Sequence, residues 1–97
     1  MYRIVFTPSA DEDLEWFRKP EQRIIIEATT EQLAQEPMTM TKNRKPLRPN
    51  PIAAWAIRIG EYRVFYDVDS AESLVTIRAV GYKDHNILFI RGQEIQL

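Results

Sequence analysis

Two kinds of periodicity divide the chain. In "YRIVFT", Tyr2, Ile4 and Phe6 alternate with Arg3 and Val5, which predicts a short strand. "TPSADEDLEWFRK" changes period: Leu14 and Phe17 fall at helical spacing. Ser9 and Glu12 fit a capping box there, and acids crowd the first turn, where the helix dipole favours them. Pro20 predicts a break, and "EQRIIIEATTEQLAQEP" a second helix up to Pro37 with Ile26, Thr30 and Leu33 as its buried stripe. The two helices form a hairpin.

The second half reads differently. "MTMTKNRKPLRPNP" has three prolines and no period, so it is expected to be a loop. Two alternating runs follow, joined at Gly60-Glu61. As a two-residue hairpin they pair Ile59 with Tyr62, Ile57 with Val64 and Trp55 with Tyr66. The opposite face then sets Arg58 directly across from Arg63, although facing like charges destabilise a ladder. A four-residue turn over Asp69–Glu72 and a further strand, "SLVTIRAVGY", would place Val68 opposite Ser73, Val64 opposite Ile77 and Arg63 opposite Arg78. The expected architecture is α+β in a single domain over 1–97. An N-terminal strand and a helical hairpin precede a three-stranded antiparallel meander, which packs one face on the helices and leaves an arginine face open.

Composition narrows the class. Ninety-seven residues, 44% of them apolar, suffice for one core. Without cysteine there is neither a disulfide framework nor thiol chemistry. The N-terminal stretch does not read as a signal peptide, and no apolar run reaches the length of a membrane span, so a cytoplasmic protein with no membrane partner is expected. A net charge of −1 hides an uneven distribution: residues 1–36 carry −4, residues 37–63 carry +5 and residues 64–97 carry −2. The basic middle is a local electrostatic footprint.

Candidate chemistry gathers in that middle. Arg58, Arg63 and Arg78 in one row repel one another unless an anion lies between them, and guanidinium matches phosphate oxygens bidentately. The flanking loop adds Lys42, Arg44, Lys45 and Arg48, and Phe65 on the same face could stack a base. The strand exit "VGYKDHNILFIRGQE" supplies Tyr82, Lys83, Asp84 and His85, the chain's one histidine. A lone histidine is more often an ordinary residue than a catalyst. One histidine, no cysteine and no tight carboxylate cluster give no metal set, and neither a phosphate-cradling glycine loop nor a nucleophilic triad is present.

The ordered set "PLRPNPIAAWAIRIGEYRVFYDVD" and "TIRAVGYKDHNILFIRG", with "TPSADEDLEWF" as a weaker N-terminal echo, resembles the RelE/ParE toxin superfamily of bacterial type II toxin–antitoxin pairs. The resemblance implies an endoribonuclease that cuts mRNA in the ribosomal A site without metal or cofactor, the RNA's own 2′-hydroxyl attacking the adjacent phosphate. It implies a cognate antitoxin as partner, with operator DNA reached only through that antitoxin. Carried onto this sequence, Arg63 would stabilise the phosphate, with Arg58 beside it and Lys83 at the basic position after the Val-Gly exit. Where several ribonuclease relatives carry a tyrosine, Phe89 can only stack, so His85 becomes the candidate acid–base group and Tyr82 the second choice. Two other readings stay open. One is a non-enzymatic ParE-like inhibitor of DNA gyrase; the other is a degenerate toxin that only binds its antitoxin.

Overall fold

A computed structural model describes residues 1–97. Seven strands and two helices run in the order β1 (Arg3–Phe6), α1 (Pro8–Glu15), α2 (Lys19–Leu33), β2 (Arg44–Pro46), β3 (Trp55–Ile59), β4 (Tyr62–Asp69), β5 (Leu74–Asp84), β6 (Ile87–Ile90) and β7 (Gln93–Ile95). β2 to β7 form one antiparallel sheet in chain order, and β1 joins it parallel to β5. The α+β class and the central meander are as the sequence predicts. Strands β2, β6 and β7 are additional. They are only three or four residues long: β2 lies in the proline-rich loop, β7 in a polar stretch, and β6 is a continuous apolar run, so none shows the alternation that betrays a strand.

Both helices differ in detail from expectation. The cap of α1 is Thr7, whose Oγ1 accepts the Ala10 N–H at 3.0 Å, rather than Ser9. Pro8 explains the shift: it suits the first turn, where its missing N–H is no loss, so the residue before it becomes the cap. Pro20 likewise sits inside the first turn of α2 instead of preceding it. Packing against the sheet turns Ile25, Thr29 and Leu33 inward, all fully buried, rather than Ile26 and Thr30, and Ile26 is 39% exposed. Phe17 is buried and Trp16 is half exposed, stacked on Tyr82 at 5.4 Å.

The main core lies between the helices and one sheet face, around Leu14, Ile25, Ile57, Val64, Ile77 and Val80. Tyr66 is fully buried within it, and its hydroxyl donates to the Pro37 carbonyl at 2.7 Å. Burial pushes that phenol up to about 12. The opposite face is not left open. Phe65, Ala53, Ala56, Ala79 and Leu88 make a second, smaller core, covered in part by the segment around Leu47 and Ile52 and by β6 and β7.

The β4–β5 register is the largest correction. The turn lies one residue later than expected, so Val68 pairs with Val75 and Asp69 with Leu74. A bulge then opens between Phe65 and Tyr66: Tyr66 faces Ile77, but Phe65 faces Ala79. Arg63 therefore stands opposite Gly81, and Arg78 is the extra residue of the bulge. β1 and β6 share the outer edge of β5 with a gap between them, at 77 to 82. The Asp13 carboxylate fills it, accepting the Val80 N–H at 3.1 Å.

Candidate functional site

The β3–β4 turn builds the site. Gly60 has φ +60° with open space around it, a backbone state that side chains disfavour, and it lets the strands turn within two residues. The turn sets Arg58 across from Arg63. Arg58's N–H bonds the Asn43 carbonyl at 2.7 Å, on the β2 side. The two arginines are thus a non-hydrogen-bonded pair, the kind whose side chains lie closer together. Gly81, opposite Arg63 on the other flank, has no side chain to cover it. Nor could it have one, because an added Cβ would run into the Phe89 carbonyl where β6 crosses.

Neither arginine has a carboxylate partner. The chain's ion pairs lie elsewhere, at Arg18–Glu21, Arg78–Asp67 and Arg91 with Glu12 and Asp13. Arg63 Nη1 instead donates to the Gly60 and Tyr62 carbonyls, both at 2.9 Å, and Arg58 Nη2 donates to Asn43 Oδ1 at 3.3 Å. Partial burial and the Arg58 charge hold the Arg63 guanidinium below its usual range, against a smaller opposing pull from Glu61. It remains cationic, since arginine is not deprotonated in proteins. Lys83 is fastened beside the same turn, its N–H on the Glu61 carbonyl at 2.9 Å.

These side chains edge a groove of about 1040 Å³ lined by Lys42, Lys45, Arg48, Arg58, Arg63 and Lys83, with Phe65, Ala56 and Leu88 among its apolar walls. No Asp or Glu side chain lines it. Six cations without a carboxylate partner thus face one cleft in a chain of net charge −1, a concentrated patch of positive potential.

Several expected site residues lie elsewhere. Arg44 points to the helix side, where its Nη1 donates to the Gln32 and Glu36 carbonyls at 2.8 and 3.3 Å, at the C-terminal end of α2. Arg78 is out of the row because of the bulge, and its Nε is bound to Asp67 Oδ2 at 2.9 Å. Phe65 is only 3% exposed, so it forms a floor and cannot stack a base. Tyr82 and Phe89 stack on each other at 5.3 Å on the helix side, with Trp16 over Tyr82. His85 occupies the β5–β6 turn with φ 52°, its side chain 92% exposed and its Nδ1 2.8 Å from Asp84 Oδ1. It does not line the groove, whereas its neighbour Asn86 does. Sequence reasoning missed Asn86, and also Asn43, which steadies Arg58; a single asparagine in a loop or turn is too common a signal to single out.

Fold and groove together define a small toxin of the RelE/ParE class. The chain belongs to the ParE toxin family of type II toxin–antitoxin systems (parDE), whose family model matches residues 4–87. Among solved structures it is similar to the RelBE2 toxin–antitoxin complex of Mycobacterium tuberculosis, with 28% identity, 84% of this chain and 91% of that one covered, and a TM-score of 0.74. The intact RelBE complex of Escherichia coli shares the fold at 20% identity, covering 88% of this chain and all of that one, with a TM-score of 0.66. A YoeB/ParE toxin from Agrobacterium tumefaciens does so at 20% identity, 87% and 100% coverage, and a TM-score of 0.64. No curated protein matches the sequence.

Proposed function

We propose that this toxin is an endoribonuclease that cleaves mRNA in the ribosomal A site, acting in the cytoplasm and restrained by a cognate antitoxin. The observation that carries the reading is the Arg58–Arg63 pair, without a carboxylate partner in a groove that no Asp or Glu side chain lines, and joined there by Lys83. In the reaction the 2′-oxygen bonds to the adjacent phosphorus and the bond from phosphorus to the 5′-oxygen breaks, leaving a cyclic phosphate and a free 5′-hydroxyl. Negative charge builds on the phosphorane oxygens, and fixed cations at developing charge are commonly the largest contribution to such catalysis. Arg58 and Arg63 serve that purpose. Of the three cations only Lys83 can surrender a proton, which suits it to protonate the departing 5′-oxygen. The groove has no Asp, Glu or His side chain to act as base, so the 2′-hydroxyl proton leaves to water.

The antitoxin reading is supported by the similarity to complexes in which a toxin of this fold is bound to its antitoxin. The alternative of a gyrase inhibitor without chemistry is favoured by the family model, which describes ParE toxins, and by the absence of a base in the groove. Inducing the toxin alone and mapping mRNA 5′ ends separates them. The nuclease reading expects in-frame cuts on translated messages. DNA damage without cuts supports gyrase inhibition, and no effect supports a toxin that only binds its antitoxin.

A further inference from the structure

The segment Leu47–Asn50 is a strap across the sheet face away from the helices, and it walls two grooves at once. On one side lies the basic groove that holds Arg58, Arg63 and Lys83. On the other lies a second, of about 960 Å³, reaching past Arg78 to Arg91 and the start of α1. The strap is braced internally: Asn50 Oδ1 accepts the Ile52 and Ala53 N–H groups at 2.8 and 3.1 Å, and its Nδ2 donates to the Arg48 and Ala53 carbonyls at 2.7 and 2.9 Å. Arg48 stands on it, exposed, without an ion pair and lining both grooves.

Arg78 is anchored in the second groove rather than hidden. Asp67 is itself fixed, with Oδ1 on the Ala54 N–H at 2.7 Å, and its Oδ2 grips Arg78 at Nε only. Both terminal nitrogens of that guanidinium are left without a partner, and the side chain is 47% exposed. A guanidinium pinned at Nε with its outer fork free is oriented in advance for a phosphate. The second groove also contains Arg91, Asp13 and Asp67, so it is far less positive than the first. It can hold a phosphate that is already tethered, but it is not suited to capture one alone.

We propose that Arg48 and Arg78 form a second phosphate subsite, and that the substrate is an extended single RNA strand crossing the strap from one groove to the other. This rests on the nuclease reading and names the shape of its substrate. Phosphates in the first groove face Arg58, Arg63 and Lys83, while a flanking phosphate past the strap meets the Arg78 fork.

The test uses the whole protein and 2′-deoxy-substituted RNA oligonucleotides, which lack the attacking hydroxyl and stay intact. Binding of a three-nucleotide and an eight-nucleotide strand is measured by fluorescence anisotropy over a salt series. The longer strand is expected to bind more tightly, and the slope of log K against log salt to steepen by about 0.7 for each added phosphate contact. Arg78→Gln should remove most of the gain from length, with an unchanged melting temperature as the control for folding. Arg78→Lys, which keeps a cation for Asp67 but not the fork, should also reduce the gain. Equal affinity for the two strands, or a gain that survives both variants, overturns the second subsite alone. Binding of neither strand also overturns the second subsite, and the nuclease reading falls with it if induction of the toxin gives no in-frame cuts on translated messages.

Discussion

Asp13 and Arg91 meet at 2.8 Å beneath the bulge of β5, joining the middle of α1 to the turn between β6 and β7. Asp13 is 2% exposed, and its other oxygen holds the Val80 N–H in the gap between β1 and β6. The pair therefore braces the stretch of β5 that leads to Gly81 and Lys83. Removing one partner leaves a buried carboxylate unpaired, so Arg91→Ala should cost about 3 kcal/mol in urea unfolding. A loss below about 1 kcal/mol would show that the half-exposed Arg91 is only a surface ion pair.

The same carboxyl makes stability depend on pH. Burial raises Asp13 above its ordinary range, and the Val80 N–H and the Arg91 charge pull it only partly back. Ionisation then costs the folded state more than the unfolded chain. The Asp13 contribution is fully present below the ordinary aspartate range and is lost as pH rises through the raised value. The stability difference between the parent and Asp13→Asn should be most in the parent's favour in acid, shrink through the mildly acidic range and flatten above it. Urea unfolding of both proteins from about pH 3 to pH 7 checks the sign.

Arg44 has a different task from its neighbours in the basic loop. Lacking a basic residue in its own last turn, α2 receives this one from β2 at its Gln32 carbonyl, with the Glu36 carbonyl just past the helix end as a second acceptor. Arg44→Ala should lower stability by about 1 kcal/mol through the loss of a charged cap. Its effect on RNA affinity should be smaller than that of Lys45→Ala, whose side chain lines the groove. Melting and anisotropy on both variants check the ordering.

His85 stands outside the groove on an exposed turn. His85→Ala should change the cleavage rate less than tenfold, short of the roughly 10²- to 10⁴-fold that an acid–base group supplies. A larger loss at unchanged stability would mean that the turn folds over bound RNA and that the histidine acts there.

The chain's alternation made the β3–β4 hairpin legible, down to the Arg58–Arg63 pair, because a two-residue turn leaves one register. It could not show the β4–β5 bulge, since an extra residue in one strand keeps each run's pattern while shifting what it faces. That single residue took Arg78 out of the row. Tyr82, Phe89 and Arg44 were misplaced for a related reason: their types suit RNA, but β-strand parity turns them to the helix side. Phe65 does share a face with Arg63 and is lost to the second core, which depends on short strands and a strap with no period of their own.

On the proposed reading Arg58 and Arg63 face each other because phosphate belongs between them, and Arg63→Gln probes this pair alone. The substitution gives up two hydrogen bonds to turn carbonyls and relieves a like-charge pair worth roughly 0.2–1 kcal/mol, so the fold should be nearly as stable as before. It also removes a cation that counts mainly in the transition state, a loss of about 3–4 kcal/mol in catalysis. Thermal melting of both proteins with and without inorganic phosphate, alongside growth inhibition on induction, gives the answer. The Arg63→Gln protein should melt close to the parent, gain less from phosphate and no longer inhibit growth. A variant that melts far lower, gains as much from phosphate, and loses toxicity only as far as it unfolds would contradict that reading.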